Sequence, residues 1–421
     1  MTKLNKLLAK LEDLHPKYID LSLKRINRLL FDLGNPHLEL PKCIHIAGTN
    51  GKGSTLNFIK TIMIESNYKV HAYISPHLEK INERFIIANN EISDRKLYEN
   101  LKYISKINNN KPITFYEITT ALAFYLFNKN KADFLLLETG LGGRLDATNI
   151  IKESLISIIT PIGFDHQEYL GNTLKKITEE KLGIIKKSSV LISSKQNYNI
   201  QKQISLFAKI NNNKSLIYGK EWSINKTKNK FFLFKTTRNT FKFRKPKLLG
   251  DFQIYNCSTA LATIYYLKKI GFKFDYNKIN KGIQKSFWPG RLQLVQSKNP
   301  KIFLDGSHNV DGAKSLKEFI KNSKKKTWLI LGMLNSKDIT SYLKILKNNV
   351  IGIIAIKIPY EINSYTPHEI EKCCKKLKIF CKKESNSNIA ITNLINDEKP
   401  KQIIITGSLY LVGQIKRKLN Y

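Results

Sequence analysis

Short apolar runs, many of them β-branched, alternate along the chain with stretches whose apolar residues recur at helical spacing. This is the pattern of a sheet covered by helices. The run KCIHIAG (42–48) predicts a buried strand, and GSTLNFIKTIMIES just after it predicts a helix. KVHAYIS, ADFLLLETG and SLISIIT predict further strands, while TFYEITTALAFYLFNKN predicts a largely buried helix. Segment 215–243 alternates and is rich in turn residues, which predicts an antiparallel excursion. A Trp-Pro-Gly turn at 288–290 then leads into two new strands, and TWLILGML, VIGIIAIKIP and QIIITGSLYL alternate with helical stretches. The expected fold class is α/β, with a larger domain over 1–289 and a smaller α/β domain over 290–421. No internal repeat is evident.

The 421 residues suit two or three domains, and 42% apolar with 10% aromatic residues suffices for ordinary cores. No apolar run approaches the roughly 20 residues of a membrane helix. The N-terminal stretch soon carries Glu12 and Asp13 and lacks the apolar core of a secretory signal, so a cytoplasmic protein with no membrane partner is expected. Of the five cysteines, Cys373, Cys374 and Cys381 fall in a lysine-rich, helix-like stretch without a matching His or second Cys pair. Free thiols in a reducing compartment are expected there rather than zinc. The net charge of +38 invites a nucleic-acid reading. Yet the lysines are spread over the whole chain among Asn and Ile, as in KINNNKP and KKLKIFCKK. That distribution predicts attraction to anionic substrates and no specific nucleic acid.

The segment GTNGKGS at 48–54 follows a strand and opens a helix. Backbone N–H groups of such a loop, and the positive end of the helix dipole, suit phosphate. Gly48, Thr49, Asn50, Gly51, Gly53 and Ser54 are therefore candidate ATP-binding positions, with Lys52 reaching the β- and γ-phosphates. The match to the general P-loop pattern is imperfect: Ile46 stands at its first glycine, and Gly53 precedes the first hydroxyl.

This loop resembles the phosphate loop of the Mur-ligase superfamily in the form found in folylpolyglutamate synthases. Further segments resemble that family in order: YISPHL (73–78), ETGLGGRLDATN (138–149), GFDHQEYLG (163–171), EEKLGIIK (179–186), WPGRLQ (288–293), DGSHN (305–309), GMLNSKD (332–338) and TGSLYLVG (406–413). The resemblance implies a P-loop-type nucleotide-binding domain followed by a smaller domain of the Mur-ligase C-terminal kind. It also implies a ligase adding L-glutamate to dihydropteroate and to reduced folates, with ATP as cosubstrate; a monomer is expected.

Such a reaction passes through an acyl phosphate, so two anions must meet. At about 4 Å, like unit charges repel by roughly 4 kcal/mol even at an effective dielectric near 20, and Mg²⁺ between them offsets this. The resemblance gives Ser75 and Glu138 a first Mg²⁺ and His166 a second. It makes Lys181 a carbamylated lysine whose new carboxylate serves as an oxygen ligand for Mg²⁺. A free lysine has a pKa near 10.4, so only roughly one in a thousand is neutral at pH 7, and the site must trap the product. Without the resemblance, Lys181 reads as one lysine on a solvated helix face, His166 as a cap and Glu138 as a surface carboxylate.

Asn256, Arg291 and Asp305 are implied ATP contacts, Arg291 as a fixed charge gripping phosphate as domains close. His308 is implied as a second-domain catalytic residue, and Ser408 as a glutamate contact. Phe252, Cys257, Ser307 and Val310 depart from the family's usual His, Ala, Ala and Pro. TFYE (Thr114, Phe115, Tyr116, Glu117), LDA (Leu145, Asp146, Ala147) and IDLSLKR (19–25) resemble segments lining the pteroate pocket. All three also read as core or helix-start residues, and Asp305 and Ser408 as helix caps. Besides a folylpolyglutamate synthase that lacks the dihydropteroate step, two alternatives weigh against this reading: a peptidoglycan-precursor ligase, which places a further domain ahead of its loop, and a basic ATP-dependent nucleic-acid-binding protein. Neither matches a loop at Gly48 with a dispersed charge.

Overall fold

The apolar run Cys43–Ala47 forms the buried part of β1 (Lys42–Ala47). In chain order there follow β2 (Val70–Tyr73), β3 (Phe85–Ile87), β4 (Asn90–Glu91), β5 (Phe134–Glu138), β6 (Ile156–Ile159), β7 (Val190–Ser193) and β8 (Ser215–Ile217). They make one sheet in the order β4-β3-β2-β5-β1-β6-β7-β8. β2, β5, β1, β6, β7 and β8 run parallel, while β3 and β4 are antiparallel additions at one end. β1, β2, β5 and β6 are buried from both faces except at Lys42, which is why they read as unbroken apolar runs. Because these four are parallel, their C-terminal ends meet on one edge, where open α/β sheets bind ligands. The computed structural model that shows this describes residues 2–16, 19–297, 300–398 and 401–419.

The helix Phe115–Lys129 is apolar nearly all round and is buried accordingly. β9 (Trp222–Lys226), β10 (Phe231–Thr236) and β11 (Thr240–Arg244) form the expected antiparallel excursion as a separate three-stranded sheet. The excursion is shorter than expected, since Ser215–Ile217 pairs parallel with β7 in the large sheet.

A second sheet comprises β12 (Gln293–Gln296), β13 (Lys301–Asp305), β14 (Thr327–Leu331), β15 (Gly352–Ala355), β16 (Cys381–Lys383) and β17 (Gln402–Thr406), in the order β12-β13-β17-β14-β15-β16. All its pairings are parallel except that of the edge strand β12. The chain divides into two units. One holds Met1–Ile162, His166–Lys245 and Tyr255–Ser286; the other holds Gly163–Asp165, Pro246–Ile254 and Phe287–Tyr421. Each has its own apolar core.

Cys381 opens β16 and does not continue the helix Pro367–Lys376, because Lys378 takes a left-handed conformation that stops it. All five cysteines are free thiols, and burial pushes those of Cys43 and Cys257 up. Among the described residues no helix is long and apolar enough to cross a membrane.

Candidate active site

The phosphate loop is shaped by two glycines. Gly48 has φ +152° and Gly51 φ +86°. A Cβ on Gly48 would collide with Thr160 at the end of β6, and one on Gly51 would sit 2.5 Å from Asn256 Oδ1. The backbone N–H groups of Thr49 and Asn50 donate to the Pro161 carbonyl at 2.9 and 3.2 Å. Those two groups therefore anchor the loop, and the N–H groups that open the helix Lys52–Glu65 are the ones oriented for phosphate. Lys52 Nζ folds back onto the Gly48 and Thr49 carbonyls at 3.1 and 3.4 Å. Ser54 and Asn256 are buried beside this loop, and Gly53 is half-buried.

Glu138 ends β5 in register with Ile46 of β1 and is buried. Its carboxylate accepts the Ser75 N–H at 3.3 Å, so these two expected metal ligands are brought together. Ser75 Oγ is buried and has no hydrogen-bond partner. An orphaned hydroxyl beside a buried carboxylate at a phosphate loop fits the oxygen-rich site of Mg²⁺, which keeps waters and takes the rest of its shell from phosphate.

Lys181 is only 4% exposed, which overturns the solvated-face reading. It lies on the helix Leu174–Leu182, pressed against the ETGLGGR segment. A Cβ on Gly143 would stand 2.7 Å from the Glu180 carbonyl and 3.0 Å from Lys181 Cα, and one on Gly183 would collide with Arg144. The Arg144 N–H donates to the Glu180 carbonyl at 2.7 Å. Glycine on both sides thus lets the loop lie flat on the lysine's helix. His166 precedes the short helix Gln167–Leu170 in a left-handed conformation, φ +50°.

The TFYE segment does what a helix start does. Thr114 Oγ1 accepts the Glu117 N–H, and Glu117 reaches back to the Thr114 N–H at 2.8 Å, a complete capping box. Arg25 Nε donates to the same Glu117 oxygen at 2.9 Å, tying in the IDLSLKR segment. The other oxygen, Oε1, is buried with no partner. Phe115 and Ala147 are buried, and Leu145 is half-buried. Asp146, 2% exposed, caps the short helix Ala147–Ile150. Its Oδ1 accepts the Thr148 N–H at 2.9 Å, the Thr148 hydroxyl at 2.5 Å and the Tyr116 hydroxyl at 3.3 Å, and its Oδ2 accepts the Leu141 N–H at 2.8 Å. Burial raises the Asp146 carboxyl, and burial with the Asp146 charge nearby raises the Tyr116 hydroxyl.

In the second unit, Arg291, Asp305 and His308 converge on Gly306. A Cβ there would lie 3.1 Å from Arg291 Nη1. His308 Nδ1 bonds the Gly306 carbonyl at 2.9 Å. Asp305 accepts the Leu292 and Ser307 N–H groups at 3.0 and 3.1 Å. Ser408 accepts the Tyr410 N–H at 3.1 Å at the start of Leu409–Leu419, so its hydroxyl acts as a cap.

Three polar residues emerge that sequence reasoning had not singled out. Asp165 accepts from Lys337 Nζ at 2.6 Å and from Asn309 Nδ2 at 3.1 Å, and lies 3.5 Å from His308 Nε2. Its side chain and that of Lys337 are each 11% exposed. Their separation of 172 positions hides the pair from any local pattern. The third is His45, an imidazole inside the apolar run of β1; a polar residue at such a strand position was the available signal.

A phosphate-shaped loop on one sheet edge, with His, Asp and Arg gathered at a strand end of another sheet, defines the class of Mur-type ligases. Residues 46–264 match the Mur ligase middle domain, and 290–419 match the dihydrofolate synthetase C-terminal domain. The chain is 32% identical to the probable dihydrofolate synthetase of Schizosaccharomyces pombe, over 95% of this chain and 99% of that protein. E. coli FolC in complex with DHPP and ADP superposes with a TM-score of 0.88 at 29% identity, covering 100% of this chain and 98% of that one. The bifunctional folylpolyglutamate synthase/dihydrofolate synthase complexed with AMPPNP and Mn ion from Yersinia pestis gives 0.88 at 26% identity, covering 100% and 99%. The chain belongs to the dihydrofolate synthase/folylpolyglutamate synthase family of Mur ligases, and its activity is ATP-dependent glutamate ligation.

Proposed function

We propose that the chain joins L-glutamate first to dihydropteroate and then, at the same phosphate loop, to reduced folates. The acceptor's carboxylate oxygen attacks the γ-phosphorus of ATP and releases ADP. The glutamate nitrogen then attacks the acyl carbon and loses a proton, and inorganic phosphate leaves. Both acceptors end in a carboxylate that must reach the same phosphorus in line, so one loop can serve both.

Lys52 and the N–H groups opening its helix hold the β- and γ-phosphates and stabilise charge as the phosphoryl group moves. Gly48 and Gly51 keep that surface free of side chains, while Thr49 and Asn50 hold the loop to Pro161. Asn256, Arg291 and Asp305 bind ATP, and His308, held at Nδ1, serves the transfer to glutamate. Ser75 and Glu138 would hold one Mg²⁺, and His166 with a carbamylated Lys181 a second. These ions supply positive charge between phosphate and carboxylate. Thr114, Phe115, Tyr116, Glu117, Leu145, Asp146 and Ala147 line the pterin pocket, and Ser408 lies towards glutamate. The enzyme acts as a cytoplasmic monomer.

The observation that carries this reading is the buried, unpartnered Ser75 Oγ beside Glu138, at the sheet edge that also bears the phosphate loop. The test is ADP release with dihydropteroate, tetrahydrofolate and glutamate supplied and omitted in turn. Release that needs glutamate and either acceptor is expected. Release with tetrahydrofolate alone as acceptor would reduce the protein to a folylpolyglutamate synthase.

A further inference from the structure

His45 stands on β1 three residues before Gly48, and its ring is 0% exposed. Its neighbours along the strand, Ile44 and Ile46, are also fully buried. An imidazole placed there only to fill space would be better replaced by another apolar side chain, because a buried polar atom without a partner is costly. His45 carries such an atom: Nδ1 is buried with no hydrogen-bond partner. The other nitrogen, Nε2, lies 2.8 Å from Thr148 Oγ1.

The proton positions in this contact follow from the chemistry of the partners. Thr148 has one hydroxyl proton and donates it to Asp146 Oδ1 at 2.5 Å, within the range of charge-assisted O–H···O⁻ bonds. Thr148 Oγ1 can then only accept from His45, which fixes the proton on Nε2 and leaves Nδ1 bare. Burial, with Lys186 nearby, pushes the imidazole down to about 3, so the ring is neutral over the working pH range. The chain continues on the far side of the carboxylate, where the Tyr116 hydroxyl donates to the same Oδ1 at 3.3 Å. The Tyr116 ring lies against backbone, since a Cβ on Gly140 would stand 2.5 Å from its Cζ. One oxygen of Asp146 thus ends a relay His45–Thr148–Asp146 and also receives Tyr116.

We propose that His45 is a positioning residue for the short acceptor: acting through Thr148, it fixes the Asp146 carboxylate and the Tyr116 hydroxyl in the orientation that receives dihydropteroate. The inference rests on the pterin reading of Asp146 given under Proposed function. Dihydropteroate has no glutamate tail to anchor it, so its placement depends on the ring pocket. A longer folate gains contacts elsewhere and tolerates a loosened carboxylate. Neighbouring hydrogen bonds polarise one another, so losing the first donor weakens the second link as well.

The experiment compares His45→Phe, His45→Gln, Thr148→Val and Asp146→Ala in both glutamate-addition reactions. The loss of one buried hydrogen bond corresponds to about tenfold, read as a rise in KM for dihydropteroate under His45→Phe, with kcat and tetrahydrofolate extension held within about twofold. His45→Gln, which restores an N–H donor, should recover most of the loss. Thr148→Val should reproduce it, and His45→Phe should add nothing in an Asp146→Ala background. If Asp146→Ala is selective for dihydropteroate but His45→Phe and Thr148→Val are silent, the positioning role is wrong while the pterin reading stands. If Asp146→Ala affects both reactions equally, the pterin reading fails and this inference with it. Should the substituted proteins not fold, ¹⁵N-histidine spectra of the wild type decide. A neutral ring protonated on Nε2 is expected, and a proton on Nδ1 overturns the relay.

Discussion

The two units each end a parallel strand in a loop that opens a helix, and the two junctions are built from different materials. After β1 the shape is made of backbone. Gly48 and Gly51 take conformations that side chains resist, and a Cβ at either would strike Thr160 or Asn256. After β13 the shape is made of side chains. Asp305 gathers two N–H groups, Asn309 accepts the Gly312 N–H at 2.9 Å to cap the helix Val310–Ser323, and Ser307 Oγ lies 3.0 Å from Tyr342 Oη and 3.1 Å from Thr406 Oγ1. A phosphate chain is wide and needs a bare concave surface with aligned N–H groups. An imidazole and a guanidinium need to be aimed, and a hydrogen-bonded network does that. The first junction should therefore fail abruptly when a side chain is added, and the second gradually as side chains are removed.

The largest effect expected is on the cation of the backbone-built junction. Lys52→Ala should lower turnover by roughly 10²–10³, the scale of a lost transition-state donor, with the melting temperature unchanged. Wild-type turnover in that folded variant would remove Lys52 from the chemistry. Gly48→Ala should come next. Backbone strain of this kind costs about 1–3 kcal/mol, read as a lower melting temperature together with weaker nucleotide binding. An unaffected Gly48→Ala protein would mean the loop is not shaped by its glycines.

Acid sharpens the contrast further. His45 on β1 has its pKa pushed from 6.5 down to about 3 by burial, and burial also lowers His37 and His71 in the same unit. Below 6.5 the unfolded chain takes up protons that these folded rings refuse, so stability is full above that pH and falls as pH drops below it. Moving from pH 7.5 to 5.5 should cost about 1 kcal/mol for His45 alone. Denaturant midpoints of wild type and His45→Phe at the two pH values measure this, and an equal drop in both would assign the acid sensitivity elsewhere. The smallest effect belongs to the side-chain-built junction. Ser307→Ala leaves Tyr342 and Thr406 bonded to each other at 3.0 Å, so about 0.5–1 kcal/mol is expected from chemical denaturation.

The same contrast sets what could be read from the amino acids alone. β1, its loop and its helix were legible because a buried parallel strand, glycines and a helical period follow one another within a few residues. The helix at TFYE was legible for the same reason, its Thr-x-x-Glu cap being local. The burial of Lys181 was not, because what covers it is the flat backbone of a distant segment, and glycines record only that something approaches. Asp165 and Lys337 were hidden by their separation in sequence. β8 was merged with the antiparallel excursion because a three-residue edge strand with two half-buried positions carries too little period to show which sheet it joins.

The pairing of Asp165 with Lys337 bears on modularity. Residues 290–421 look like a cassette that gene fusion could move intact to another ligase. Yet two stretches of the same unit, Gly163–Asp165 and Pro246–Ile254, lie far upstream in the chain. A transplant cut at Pro289 would carry Lys337 into its new host without the carboxylate that neutralises it, and a buried ammonium left alone is strongly destabilising. Recombination that swaps C-terminal halves within this family must therefore bring a short acidic loop along with the cassette, or find a recipient that already supplies one.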